Sequence, residues 1–179
     1  MKDADLPEGV TFELIPGGDE VAGQVTLDMC GVEFPSEALR VARHQRIARD
    51  SADELIINNE NVRYRDADAA AQGLAELRAA IAQCDPDAFI ESTVSGVPPL
   101  KYRIQEIAPD RLSSLSADRV AITADVTSQE GETVTYTLIY QRRGALLVGT
   151  FSGSADRVLP YAEKAALNLA SLSADLAGE

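Results

Sequence analysis

Two neighbouring runs, R-V-A-R-H-Q-R-I-A-R at 40–49 and E-L-I-I-N-N-E-N-V-R at 54–63, match side chain for side chain when the chain folds back about Ser51-Ala52. Val41 then faces Val62, Arg43 faces Glu60, Gln45 faces Asn58, Ile47 faces Ile56 and Arg49 faces Glu54. Like meets like in size and opposite meets opposite in charge, which is what cross-strand stabilisation requires. A helix presenting Arg40, Arg43, Arg46 and Arg49 on one solvated face is the plainer reading; the hairpin explains more. The second face would pair Ala42 with Asn61, His44 with Asn59, Arg46 with Ile57 and Ala48 with Leu55, a mixed set. Arg40 opposite Arg63 leaves like charges at the open end. That end is a candidate anion site, set against two arginines fraying into solvent, where exposed charges contribute little.

This register brings Arg43, Gln45, Asn58 and Glu60 together on one sheet face, between Val41 and Val62 at one margin and Ile47 and Ile56 at the other. A polar centre in an apolar rim is the composition of a small-ligand site. The plainer alternative is a solvated ladder worth roughly 0.2–1 kcal/mol per pair.

The remaining chain parses into further elements. Asp66 caps a helix whose run D-A-D-A-A-A-Q-G-L-A-E-L-R-A-A-I-A-Q-C is rich in helix formers, carries acids in its first turn and stops at Asp85-Pro86. Leu74, Leu77, Ile81 and Cys84 recur at helical spacing along its apolar stripe. Val120, Ile122, Ala124 and Val126 alternate with polar or small residues, as do Val134, Tyr136, Leu138 and Tyr140. A-L-L-V-G-T-F follows the turn at Arg143-Gly144, completing an antiparallel meander. A last helix, over about 156–177, is expected to start from a cap at Asp156, which puts Pro160 in its first turn. Its stripe of Leu159, Ala162, Ala166, Leu169 and Leu176 needs a sheet to cover it. The expected class is α+β: a twisted antiparallel sheet packed with two main amphipathic helices, about 66–84 and 156–177. At 179 residues one domain is the natural size, and the Pro-rich 95–100 reads as a connection within it.

With 29 acidic against 16 basic residues and a net charge of -13, the chain is a poor partner for nucleic acid or an anionic membrane. No apolar run approaches the ~20 residues that span a bilayer, and the start lacks a signal-peptide core. Residues 1–23 are expected to be the remnant of a linker behind a removed signal or anchor, and 24–179 the domain proper. Any membrane association would then run through that anchor. The two cysteines, Cys30 at the end of an alternating segment and Cys84 at the end of a helix, both sit at core-facing positions. One disulfide and two buried free thiols fit this equally.

The order hairpin, helix, cysteine, in R-V-A-R-H-Q-R followed by L-I-I-N-N-E-N-V-R-Y-R-D-A-D-A-A-A-Q-G-L-A-E-L-R-A-A-I-A-Q-C, resembles the extracytoplasmic sensor domain of PknH-type receptor serine/threonine kinases and related actinobacterial secreted proteins and lipoproteins. The resemblance is strongest over 40–84, and the meander and final helix extend it to about 175. It implies an antiparallel sheet flanked by helices, a ligand-receiving cleft, an extracytoplasmic location and a disulfide matching Cys30 with Cys84. The chain departs from it in lacking a second disulfide in the C-terminal strands. No G-x-G-x-x-G, H-R-D or D-F-G is present, so no kinase is expected.

Catalytic readings find little support. One histidine, His44, supplies no multi-histidine metal site, and two cysteines make no zinc cage. No strained turn surrounds Ser36 to pair it with His44, and Asp66 and Asp68 read as helix-start charges. No cofactor is expected. Three functions are weighed: a non-catalytic extracytoplasmic sensor-like domain binding a small molecule or envelope component; a small enzyme with a cone-shaped pocket, which needs a perturbed titratable group inside it; and an envelope protein-interaction module, which needs an exposed apolar patch.

Overall fold

In the structure, a computed structural model, residues 1–94, 96–172 and 177 are described. Among the described residues seven antiparallel strands form one sheet: β1 (Glu13–Leu14), β2 (Arg40–Arg49), β3 (Leu55–Tyr64), β4 (Lys101–Glu106), β5 (Arg119–Thr127), β6 (Thr133–Arg143) and β7 (Leu146–Ser152). Their spatial order is β1-β2-β3-β7-β6-β5-β4. Helix α1 (Ala67–Ala82) and helix α2 (Ala155–Ser171) cover opposite faces. The fold is α+β, as the sequence implies.

Period-two alternation puts Val62, Tyr64, Val120, Ile122, Tyr140 and Leu147 on the α1 side, where they pack with Leu74, Leu77, Leu27 and Met29. The alternate positions Ile57, Ala121 and Ile139 meet Val158, Leu159, Ala162 and Ala166 of α2. Asp66 caps α1 by accepting from the Ala69 N–H at 2.7 Å. Gly73 faces the inner side of that helix because a Cβ there would sit 3.0 Å from the Tyr64 hydroxyl and 3.1 Å from Ser36 Oγ.

Helix α2 is capped two residues before the expected point. Ser154 is its N-cap, and Asp156 lies in the first turn with its carboxylate 2.5 Å from Arg111. Pro160 falls in the second turn, so the Asp156 carbonyl loses the partner it would have there. Leu159, Ala162, Ala166 and Leu169 are buried as the stripe requires; Leu176, with the rest of 173–176, lies outside the described residues.

The hairpin forms, but its register is two residues away from the expected one. Arg43 faces Val62, Gln45 faces Glu60 and Ile47 faces Asn58. A shift of two keeps every side chain on its own face, so the apolar pattern does not separate the two registers. The turn decides between them. Asp50 Oδ1 accepts from the N–H groups of Ala52 (2.9 Å) and Glu54 (3.0 Å), and Asp53 adopts a left-handed φ of 63°, building a longer loop than a turn on Ser51-Ala52. Arg49 accordingly faces Leu55 and reaches Asp53, not Glu54. A bulge at Val41 leaves that residue exposed, and it separates the expected Arg40/Arg63 pair: Arg40 faces Tyr64 on the α1 side, whereas Arg63 faces Ala42 on the other.

The cysteines form a disulfide, Cys30–Cys84, with Cα atoms 5.5 Å apart. It closes a loop spanning 54 positions and ties the segment before β2 to the end of α1. The double variant Cys30→Ser/Cys84→Ser is expected to lose about 4 kcal/mol of stability through the freed denatured chain. Urea unfolding measures this, and a loss under ~1 kcal/mol would contradict it.

Candidate functional site

The α1-side face of β2 and β3 carries a buried charged cluster. Arg43 Nε lies 2.6 Å from Glu60 Oε1, and both side chains are 2% exposed. Although two residues off opposite, the two side chains are long enough to meet diagonally. Because the Val41 bulge turns Arg40 to the same face, a second pair joins them: Arg40 Nη2 lies 3.1 Å from Glu37 Oε2, on the 3₁₀ turn Pro35–Leu39. Thr26 bridges the pairs, donating to Glu60 (3.0 Å) and accepting from Arg40 Nη1 (2.8 Å).

These charges hold a segment of irregular backbone, residues 17–27, on the sheet. Arg43 Nη1 donates to the Gly17 carbonyl (3.0 Å), and Arg40 Nη2 donates to that of Gln24. The Glu37 carboxylate accepts from the Thr26 and Leu27 N–H groups at 2.9 and 3.2 Å, and Tyr140 donates its hydroxyl proton to the Thr26 carbonyl at 3.1 Å. Gly18 runs so close to β2 that a Cβ would lie 2.5 Å from the Gln45 carbonyl. Further out, Arg46 stacks 4.6 Å from the Phe12 ring and donates to the Met1 carbonyl. Burial pushes the Glu60 carboxyl up, against the pull of Arg43 and Thr26, and pushes Glu37 up against its N–H donors and Arg40. Desolvation, reinforced by the nearby carboxylates, raises Tyr64 and Tyr140 well above the phenol range.

Beside this cluster the same face opens into a cleft of about 320 Å³ over β4 to β7 and the start of β3. Leu100, Tyr102, Val126, Tyr136, Leu138 and Phe151 make its apolar walls; Met29 and Asp28 close one side, and Asn58 enters from β3. Tyr136 is 41% exposed. The Asp28 carboxylate accepts from Ser92 and Thr93 hydroxyls, both at 2.9 Å. Burial of Tyr102, reinforced by the nearby Asp28 carboxylate, raises its phenol.

Of the residues the sequence singles out, Arg43, Gln45, Asn58 and Glu60 are linked: Arg43 Nη2 donates to Gln45 Oε1, and Gln45 Nε2 donates to Asn58 Oδ1 at 3.1 Å. Asn58 reaches the cleft, while Arg43 and Glu60 are spent on each other and on the 17–27 segment. Arg40 is saturated by Glu37, Thr26 and backbone carbonyls, and Arg63 is exposed on the opposite face. Ser36 is buried against α1 and His44 is exposed on the α2 side, so they do not meet. Among the described residues no group of three or more His, Cys, Asp or Glu side chains is placed to hold a metal ion, and no helix is long and apolar enough to cross a membrane. Sequence reasoning missed Thr26, Glu37 and the cleft walls. Even-numbered positions of β4 to β6 carry the walls, and the available signal is that Val126, Val134 and Tyr136 continue the apolar alternation beyond the reach of α1.

No protein family's sequence profile and no curated protein sequence matches the chain. Among solved structures, the extracellular domain of PknH from Mycobacterium tuberculosis is similar, with a TM-score of 0.53 and 13% identity over 91% of this chain and 78% of that one. At that identity the likeness is one of fold.

Arg43→Met leaves a buried carboxylate without its cation and is expected to cost about 3–5 kcal/mol at pH 7. An acid raised by folding contributes stability that is present below its ordinary value and lost as pH rises through the raised one. Removing Arg43 raises Glu60 further, so the cost should shrink as pH falls toward 4.5, the ordinary glutamate value. Urea midpoints against pH test this, and a pH-independent cost contradicts it.

Proposed function

We propose that this chain is an extracytoplasmic, sensor-like domain of the cell envelope that binds a small molecule with an apolar body in the cleft of β4 to β7, and that it performs no catalysis. The observation that carries the reading is the cleft itself: aromatic and aliphatic side chains, most of them half-buried and Tyr136 exposed, line a concave face on which the Asn58 amide is placed to orient a guest. The fold likeness to an extracellular kinase domain supports the sensor-like role, and the disulfide supports an oxidising compartment. Arg43, Gln45 and Glu60 act from beside the cleft, and Asn58 is the one of that set that touches the ligand. Arg40 serves the same buried cluster. The strong acidity keeps nucleic acid and anionic membrane from the list of partners, and any tether to a membrane would lie outside the domain.

An uncharged fluorescent probe, N-phenyl-1-naphthylamine, is expected to bind saturably, and Tyr136→Ser to weaken it at least about threefold by removing one apolar wall. Equal binding by the variant, or no saturable binding, would contradict the cleft. Fractionation of the native cells that finds the chain in the cytosol with both thiols free would contradict the location.

A further inference from the structure

Arginine has only hydrogen-bond donors, and that fact propagates from the buried cluster into the cleft. Arg43 donates through Nη2 to Gln45, so the Gln45 amide must present Oε1 to it and turn Nε2 away. That Nε2 donates to Asn58 at 3.1 Å, so Asn58 must offer Oδ1 to Gln45. Asn58 Nδ2 is then the end left for the cleft, beside Phe151, its partner across the β3–β7 ladder. Arg43 cannot swivel to reverse this order: Nε is held by Glu60 at 2.6 Å and Nη1 by the Gly17 carbonyl at 3.0 Å. Two amides that would each be ambiguous alone are thus fixed by one buried guanidinium.

We infer that the Arg43–Gln45–Asn58 relay sets the polarity of the cleft, so that it selects uncharged apolar molecules bearing a hydrogen-bond acceptor, such as a ketone, ester or tertiary amide, over hydrocarbons, donor-only molecules and anions. This rests on the cleft being the binding site. Asn58 Nδ2 supplies the donor, while both oxygens of the Asp28 carboxylate are taken up by the Ser92 and Thr93 hydroxyls. Exclusion of anions follows from Asp28, the one acidic side chain among the described residues of the cleft wall, in a chain of net charge -13. Gln45 and Arg43 are positioning residues: neither lies in the cleft wall, and both act through the Asn58 amide.

The inference is tested with four probes of similar size, acetophenone, ethylbenzene, indole and benzoate, titrated into the isotopically labelled native protein while backbone and side-chain amide signals are followed. Acetophenone is expected to bind about three- to tenfold more tightly than ethylbenzene, the worth of one net hydrogen bond, with indole and benzoate weaker than acetophenone. Gln45→Glu makes the relay acceptor-only at that position: the new carboxylate accepts a hydrogen bond from Arg43 Nη2 on one oxygen and from Asn58 Nδ2 on the other, turning Asn58 Oδ1 to the cleft. The order of acetophenone and indole should then invert. In the unliganded native protein, the Gln45 side-chain amide should exchange with solvent more slowly than that of Asn58, a measurement that needs neither ligand nor variant. The relay is overturned, with the cleft reading intact, when probes shift cleft signals but acetophenone has no advantage, or when Gln45→Glu leaves the order unchanged. Faster exchange at Gln45 than at Asn58 also overturns it. Probes that shift no cleft residue overturn both readings.

Discussion

A guanidinium and a carboxylate, Arg43 and Glu60, lie face to face in a place water does not reach, and much of the architecture around them exists to make that tolerable. Removing such charges from water costs several kcal/mol per ion unless each remaining donor and lone pair is met. Here they are met by Thr26, Gly17 and Gln45, and the neighbouring Arg40–Glu37 pair is met by Gln24 and the amides of Thr26 and Leu27. Buried pairs of this kind generally add little net stability over apolar residues of equal volume. What the cluster supplies is position, because a charge pair with fixed hydrogen-bond directions accepts one arrangement of the backbone around it.

That arrangement reaches the cleft by two routes. Thr26, bonded to Glu60, is two residues from Asp28 and three from Met29, which form a cleft wall, and four from Cys30, whose disulfide pins the same segment to the end of α1. On the sheet side, Gln45 passes the orientation of Arg43 to Asn58. A cleft bounded on one side by irregular backbone is thereby given a stable shape without a strand or helix to make it.

Much of this was legible in the sequence where a period exists. Both helices, the meander and the assignment of side chains to faces follow from 3.6- and 2-residue recurrence, which burial enforces. The hairpin's existence was equally legible; its register was not, because registers two residues apart bury the same set, and a loop built by the Asp50 carboxylate and a left-handed Asp53 chose between them. The company of Arg43, Gln45, Asn58 and Glu60 survived that shift because long side chains reach diagonally. Arg40 was misplaced for a local reason: the bulge at Val41 reverses its face, and no composition marks that bulge. Residues 17–24 carry no period, the short alternation from Val25 forms no strand, and the contacts of 17–27 with the charged cluster run largely through backbone carbonyls and N–H groups, which every residue type supplies. The cleft walls alternate like the rest of the sheet; only the extent of α1 decides which apolar positions stay open.

The claim that buried charge fixes the 17–27 segment, and through it the cleft, is tested most directly by hydrogen exchange at the Thr26 and Leu27 amides, which donate to the Glu37 carboxylate outside any helix or strand. The account predicts protection at these two amides of the same order as in the central strands β3, β7 and β6. Exchange at the rate of an open chain, with those strands still protected, would contradict it.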